Sequence, residues 1–157
     1  MIIIYGNIGT GKTTLAKELT KHGFVAICFD DVVKMHDKVY GEDGSFLLSL
    51  AQTQEVYDKM HEQAKALLAQ GKKVVLESMY FKEQRDQAKA LGKHVLVEVA
   101  CDETAIKERL QSRTEGPDLK LYLHYKDMME SEDCLKIDTT NTTPEQACEQ
   151  VLQGEHL

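Results

Sequence analysis

The chain has 157 residues, a formal net charge of −7, 42% hydrophobic residues and 29% charged residues. That length suits one domain around one core, and no apolar run approaches the roughly 18 residues of a membrane span. An acidic chain is poorly suited to tracking a long nucleic acid over many phosphates. Met1–Tyr5 is apolar but lacks a basic flank, so it reads as a buried strand rather than a signal peptide. The four cysteines, Cys28, Cys101, Cys134 and Cys148, form no CxxC pair. They are expected as reduced, mostly buried thiols of a cytoplasmic protein.

In chain order, short apolar runs alternate with helical periodicity. Strands are expected at Ile2–Tyr5, Val25–Phe29, Lys73–Glu77, His94–Ala100 and Leu135–Asp138. Helices are expected at Lys12–Lys21, within Ser45–Ala69, and at Lys82–Leu91, Glu103–Ser112, Leu119–Met129 and Pro144–Leu152. Gly71 and Gly92 stand where helices should stop. Continuously apolar strands separated by helices predict an α/β fold with a parallel sheet covered on both faces. Right-handed crossovers then give five strands in the order 2-3-1-4-5. Ligands of such sheets bind beyond the carboxyl ends of the strands. The segments to search are therefore Gly6–Thr13, Asp30–Lys34, Glu77–Phe81, Cys101–Asp102 and Thr139–Thr143.

Gly6-Asn7-Ile8-Gly9-Thr10-Gly11-Lys12-Thr13 fits G-x-x-x-x-G-K-[ST] in full. It follows an apolar strand and opens a helical pattern, with Thr14 next in line, as a phosphate loop requires. Glycines let successive backbone amides turn inward on phosphates, and the helix N-terminus adds about half a positive charge. Lys12 is placed to reach the β- and γ-phosphates, and Thr13 to hold Mg²⁺ through its hydroxyl. The motif thus predicts binding of ATP with magnesium.

From this loop onward the sequence resembles the small P-loop kinases of the adenylate-kinase-like fold, within the AAA-like kinase group. That group is similar to polynucleotide 5′-kinase, gluconate kinases, zeta toxin and chloramphenicol phosphotransferase. The elements that carry the resemblance follow in order. Phe29-Asp30-Asp31-Val32 stands where the polynucleotide kinase pattern has an acidic pair with the general base; Val33 and Lys34 replace the arginine expected next. Val75-Leu76-Glu77-Ser78-Met79-Tyr80 is followed by Arg85, where the family commonly has Asp with Thr-Asn. Glu108-Arg109-Leu110-Gln111-Ser112-Arg113 resembles an R-x-x-x-R lid. Ile137–Glu145 resembles the last strand and the loop that flanks adenine. The resemblance implies a P-loop NTPase three-layer sandwich. It would form one kinase domain over 1–157, with an acceptor-side excursion at about 31–60 and a short lid at about 112–119. It also implies that Arg109, Asn141 and Thr142 contact the nucleotide.

The chemistry can be set beside plainer roles. One carboxylate of a kinase must accept the acceptor's proton; Asp30 is the first choice and Asp31 would help order magnesium, although Asp is also a good helix cap. Glu77 ends an apolar strand as a metal-ordering acid would, or merely as a strand-end charge. Arg109 and Arg113 lie one helical turn apart and would stabilise transferring phosphate or stack on adenine, or complement the helix C-terminus. Lys34 and Arg85 are candidates for holding an acceptor's phosphate or carboxylate, or they face water. His36, Tyr40 and Tyr57 could line the acceptor pocket. Met60, Met128, Met129 and Tyr125 fall on helical periods and read as core. The leading function is transfer of the γ-phosphoryl group of ATP to a hydroxyl of a small molecule, such as a nucleoside, nucleotide or sugar derivative. A nucleic-acid 5′-hydroxyl kinase is the alternative within enzymes; an ATP-binding regulatory module with slow hydrolysis is the alternative outside them.

Overall fold

The computed structural model describes residues 1–35, 48–113 and 119–155. Its elements run β1 (Ile2–Tyr5), α1 (Lys12–Thr20), β2 (Phe24–Cys28), α2 (Phe29–Lys34), α3 (Leu50–Ala69), β3 (Lys73–Glu77), α4 (Lys82–Lys89), β4 (Val95–Ala100), α5 (Glu103–Gln111), α6 (Leu119–Lys126), β5 (Leu135–Asp138) and α7 (Pro144–Glu155). The strands form one five-stranded sheet in the order β2-β3-β1-β4-β5, and every pairing is parallel. The expected strand order holds. The Thr114–Asp118 part of the expected lid and the His36–Leu47 part of the acceptor-side excursion lie outside the described residues.

β1 explains why three layers form. All four of its residues are buried, so it must be covered on both faces. Side chains alternate across a strand. Ile2 and Ile4 enter one cluster with Leu15 and Leu19 of α1 and Val151 of α7. Ile3 and Tyr5 enter the other with Val56 and Met60 of α3 and Ala88 of α4. Each fully buried isoleucine contributes about 1.5–3 kcal/mol of transfer free energy.

α3 begins at a capping box in which Ser49 Oγ accepts from the Gln52 amide and Gln52 returns a bond to the Ser49 amide. Its twenty residues span roughly 30 Å, and Val56, Tyr57, Met60 and Ala64 form its buried stripe. A third, smaller cluster joins Ile8 of the phosphate loop to Ile106 and Leu110 of α5 and Tyr122 of α6. Met60 is core as expected, whereas Met128 is half exposed. All four cysteines are free thiols, with Cys28 and Cys148 buried and Cys101 and Cys134 half-buried.

Arg85 departs from its expected role. It is 1% exposed, with its guanidinium 4.3 Å from the centre of the Tyr5 ring. It donates to Glu132 Oε1 at 2.7 Å and to the Tyr80 carbonyl at 2.9 Å. It neither faces water nor offers its charge to an acceptor. Tyr80 holds the only positive φ of a non-glycine described residue, 50°, a left-handed conformation that costs a bulky side chain energy. Arg85 therefore clamps the turn between β3 and α4 in that strained form. Arg85→Met is expected to destabilise the protein by about 2–3 kcal/mol, since Glu132 is partly exposed and keeps Lys89 as a partner. Urea unfolding reads this as a lower midpoint at an unchanged slope.

Candidate active site

The loop Gly6–Gly11 leaves β1 at the centre of the sheet and enters α1. Gly6 has φ 148°, and a Cβ there would stand 2.3 Å from the Val99 carbonyl oxygen, so no side chain fits. Gly11 caps α1 in the left-handed region, at φ 97° and ψ 10°.

Four carbonyls of this loop accept hydrogen bonds from the protein. Asn7 O accepts from Lys12 Nζ at 2.8 Å and from Thr10 Oγ1 at 2.9 Å. Gly9 O accepts from Arg109 at 3.3 Å. Thr10 O accepts from Thr139 Oγ1 at 2.6 Å, and Gly11 O from the Leu15 amide at 3.0 Å. Among the described residues, no group accepts from the backbone amides of residues 9–13. A row of donors with no protein partner beside a buried lysine is the cradle that a phosphate chain fits. Asn7 Nδ2 also donates to the Tyr122 carbonyl at 3.2 Å. Asn7 and Ile8 thus tie the loop to α5 and α6.

Lys12 is 8% and Glu77 5% exposed. Burial pushes the Lys12 ammonium down and the Glu77 carboxyl up, and each charge opposes the other's shift. Glu77 Oε2 accepts from Thr13 Oγ1 at 3.2 Å, so two of the three expected magnesium partners stand together. Among the described residues no group of three or more His, Cys, Asp or Glu forms a metal cage. A hydroxyl and one carboxylate beside a phosphate cradle still suit Mg²⁺, which keeps waters and takes substrate phosphates rather than a full protein shell. Asp31 is not part of this group. It is exposed and pairs with Lys34 at 3.6 Å, both on the outer face of α2. Neither Asp31 nor Lys34 is among the described residues that line the two cavities beside the loop.

Two cavities flank the loop. The first, of about 400 Å³, is lined by Gly11, Arg109, Arg113, Thr139, Thr142 and Pro144 among others. Arg109 sits in its wall, pinned by bonds to Thr139 Oγ1 at 3.0 Å and Thr139 O at 2.7 Å. Thr142 lines it as expected, while Asn141 is exposed and outside the lining. Thr139, the first residue of the strand-end segment Thr139–Thr143, is buried after β5 and bonded to the phosphate loop.

The second cavity, of about 460 Å³, is lined by Lys12, Thr13, Asp30, Glu77, Tyr57 and Ser78 together with an apolar wall. Asp30 is the second residue of α2, because β2 stops at Cys28 rather than Phe29. The N-cap of α2 is Cys28, which makes no side-chain cap bond. Although exposed as a residue, Asp30 sits in a concave wall. Lost hydration there pushes its carboxyl up, against the pull of Lys12 and Lys34. Tyr57 Oη and Ser78 Oγ are 2.8 Å apart, and burial pushes the Tyr57 phenol up to about 12, so it stays protonated. Tyr125, read from its helical period as core, is half-buried and lines this cavity.

A parallel sheet in this order, with a phosphate loop leaving its central strand, defines a P-loop nucleotide-binding domain. A sequence profile described as AAA domain matches residues 2–137, and the chain belongs to that family. Its fold is that of small P-loop kinases. A sugar kinase from Janibacter sp. HTCC2649 superposes with a TM-score of 0.72 at 20% identity, over 97% of this chain and 91% of that one. A gluconokinase from Sinorhizobium meliloti 1021 does so at 0.72 and 18% identity, over 98% and 89%. The APS kinase of Mycobacterium tuberculosis, solved with AMPPNP and APS, does so at 0.71 and 15% identity, over 99% and 96%. No curated protein matches the sequence.

Proposed function

We propose that the protein is an ATP-dependent phosphotransferase that moves the γ-phosphoryl group to a hydroxyl of a small molecule. The observation that carries this is the pair of cavities, which share Gly9, Gly11, Thr14 and Arg113, one with Arg109, Thr139 and Thr142 in its wall and the other with Lys12, Asp30 and Glu77. A nucleotide-binding switch needs one such cavity. A kinase needs two, joined where the phosphoryl group crosses.

ATP binds with its base and ribose in the cavity walled by Arg109, Thr139 and Thr142. Its phosphates lie along the amides of residues 9–13 and Lys12. Magnesium, held by the Thr13 hydroxyl with Glu77 beside it, would neutralise phosphate charge. The acceptor occupies the second cavity with its hydroxyl toward Asp30. As the acceptor oxygen bonds to the γ-phosphorus, its proton passes to the Asp30 carboxylate, and the bond from that phosphorus to the β–γ bridging oxygen breaks. ADP leaves with that oxygen. Lys12 and Arg113 stabilise the charge spread over the transferring group. Similar kinases act on sugars, gluconate and APS by their names, which supports the small-molecule class. The described chain holds no helix long and apolar enough to cross a membrane. The free thiols suit a reducing compartment such as the cytoplasm.

ADP formation should depend on an added alcohol, because a site built for transfer excludes water as acceptor. Acceptor-independent hydrolysis at the same rate would favour the regulatory module instead. The pH dependence has a definite sign. Asp30 works as the carboxylate, so kcat/KM falls as pH drops through its pKa. Burial raises that pKa, so the acid limb is expected above the ordinary aspartate range. A pH–rate profile of the wild type reads this directly.

A further inference from the structure

Resting on the kinase reading, we propose that the acceptor is an uncharged alcohol carrying a planar aromatic or heteroaromatic ring, bound between two aromatic pairs of the second cavity. Phe29 of α2 and Tyr57 of α3 form one pair, with ring centres 5.0 Å apart. Phe81, at the start of α4, and Tyr125 of α6 form the other, at 5.8 Å. All four rings line the cavity. They come from four separate elements, so the fold gathers them at one place. Its volume, about 460 Å³, is within the range of sites for ring-sized ligands. Aromatic faces bind planar rings by stacking, with little loss of side-chain freedom.

The polar groups of the cavity set the charge of the ligand. Among the described residues that line it, only Lys12 and Arg113 are cationic, and both belong with the transferring phosphate. Asp30 and Glu77 are anionic. Arg85 is committed to Glu132, and Lys34, paired with the exposed Asp31, is not among the described lining residues. Among the described residues, a carboxylate or phosphate on the acceptor would face two acids without a cation of its own. A neutral ligand avoids that cost. Thr53 and the Tyr57–Ser78 hydroxyl pair offer hydrogen bonds to a ring's polar edge. Nucleosides and aryl-substituted alcohols share this chemistry.

The test is a set of acceptors assayed with ATP and magnesium by product formation: uridine and adenosine, an aryl-substituted propanediol, gluconate, and a nucleoside 5′-monophosphate. Binding of each to the protein is measured in parallel by calorimetry, with a non-hydrolysable ATP analogue present. The expected result is a kcat/KM for a neutral ring-bearing alcohol at least about 100-fold above those for gluconate and the monophosphate. Nucleosides against the aryl diol then separate the two sources. Tyr125→Leu and Phe29→Leu should each raise the acceptor KM about ten-fold and leave the KM for ATP unchanged. Preferred transfer to gluconate or the monophosphate overturns this inference and leaves the kinase reading intact. Binding of the ring compounds without transfer supports the inference and counts against the kinase reading. Absence of both binding and transfer for every ring compound overturns the inference.

Discussion

Asp30→Asn is expected to lower kcat for phosphoryl transfer by about 10²–10⁴, with ATP affinity almost unchanged. Asparagine keeps the shape of the side chain and loses its charge and its capacity to take a proton. Asp30 lies in the wall of the second cavity, on the acceptor side of the phosphate loop. On the proposed reading Lys12, Thr13 and the amides of the loop hold ATP, and Asp30 touches Lys12 only through its charge, so most of the uniform binding survives. Asp31→Asn is the control. Asp31 is exposed and engaged with Lys34, so its loss should leave turnover near wild type. Full turnover in Asp30→Asn with loss in Asp31→Asn would move the base by one residue. Full turnover in both would remove the acidic pair from the chemistry.

Lys12→Ala is expected to lower kcat/KM for ATP by about 10²–10³, the usual cost of deleting a preorganised charge partner of a reacting group. Lys12 is buried and already held by Asn7 O. The phosphate chain therefore meets an ammonium in place rather than one it must order. Removing it also leaves the buried Glu77 carboxylate without its nearest cation. A melting curve should accompany the kinetics, to separate lost catalysis from lost fold. Wild-type affinity and turnover in a folded Lys12→Ala protein would contradict the assignment of the phosphate loop.

Local signals carried most of the fold. The alternation of β1, in which Ile2 and Ile4 face one cluster and Ile3 and Tyr5 the other, follows from a strand apolar at every position. Helix ends moved by a few residues, as at α6, which stops at Lys126 rather than Met129. The phosphate loop was legible because its chemistry is written in fixed spacing. Arg85 was not. Its partner Glu132 lies 47 positions away, and helical period does not say which neighbour a cation meets. The same limit hid part of the second cavity's aromatic wall, of which only Tyr57 was anticipated. Phe29, Tyr57, Phe81 and Tyr125 are scattered along the chain, and Tyr125 on a helical period looks like any core residue until the sheet brings the four elements together. Asp31 shows the converse. Adjacent to Asp30 in sequence, it is turned by the helix to pair with Lys34 outside the site.

The most direct measurement is phosphorus NMR of ATP and magnesium incubated with the protein and a mixture of neutral alcohols. A kinase should convert the γ-phosphate resonance into a phosphomonoester, one for each ADP formed, and Asp30→Asn should abolish that signal while calorimetry still shows ATP bound. Release of inorganic phosphate alone, or unchanged ATP in the presence of every acceptor, would contradict it.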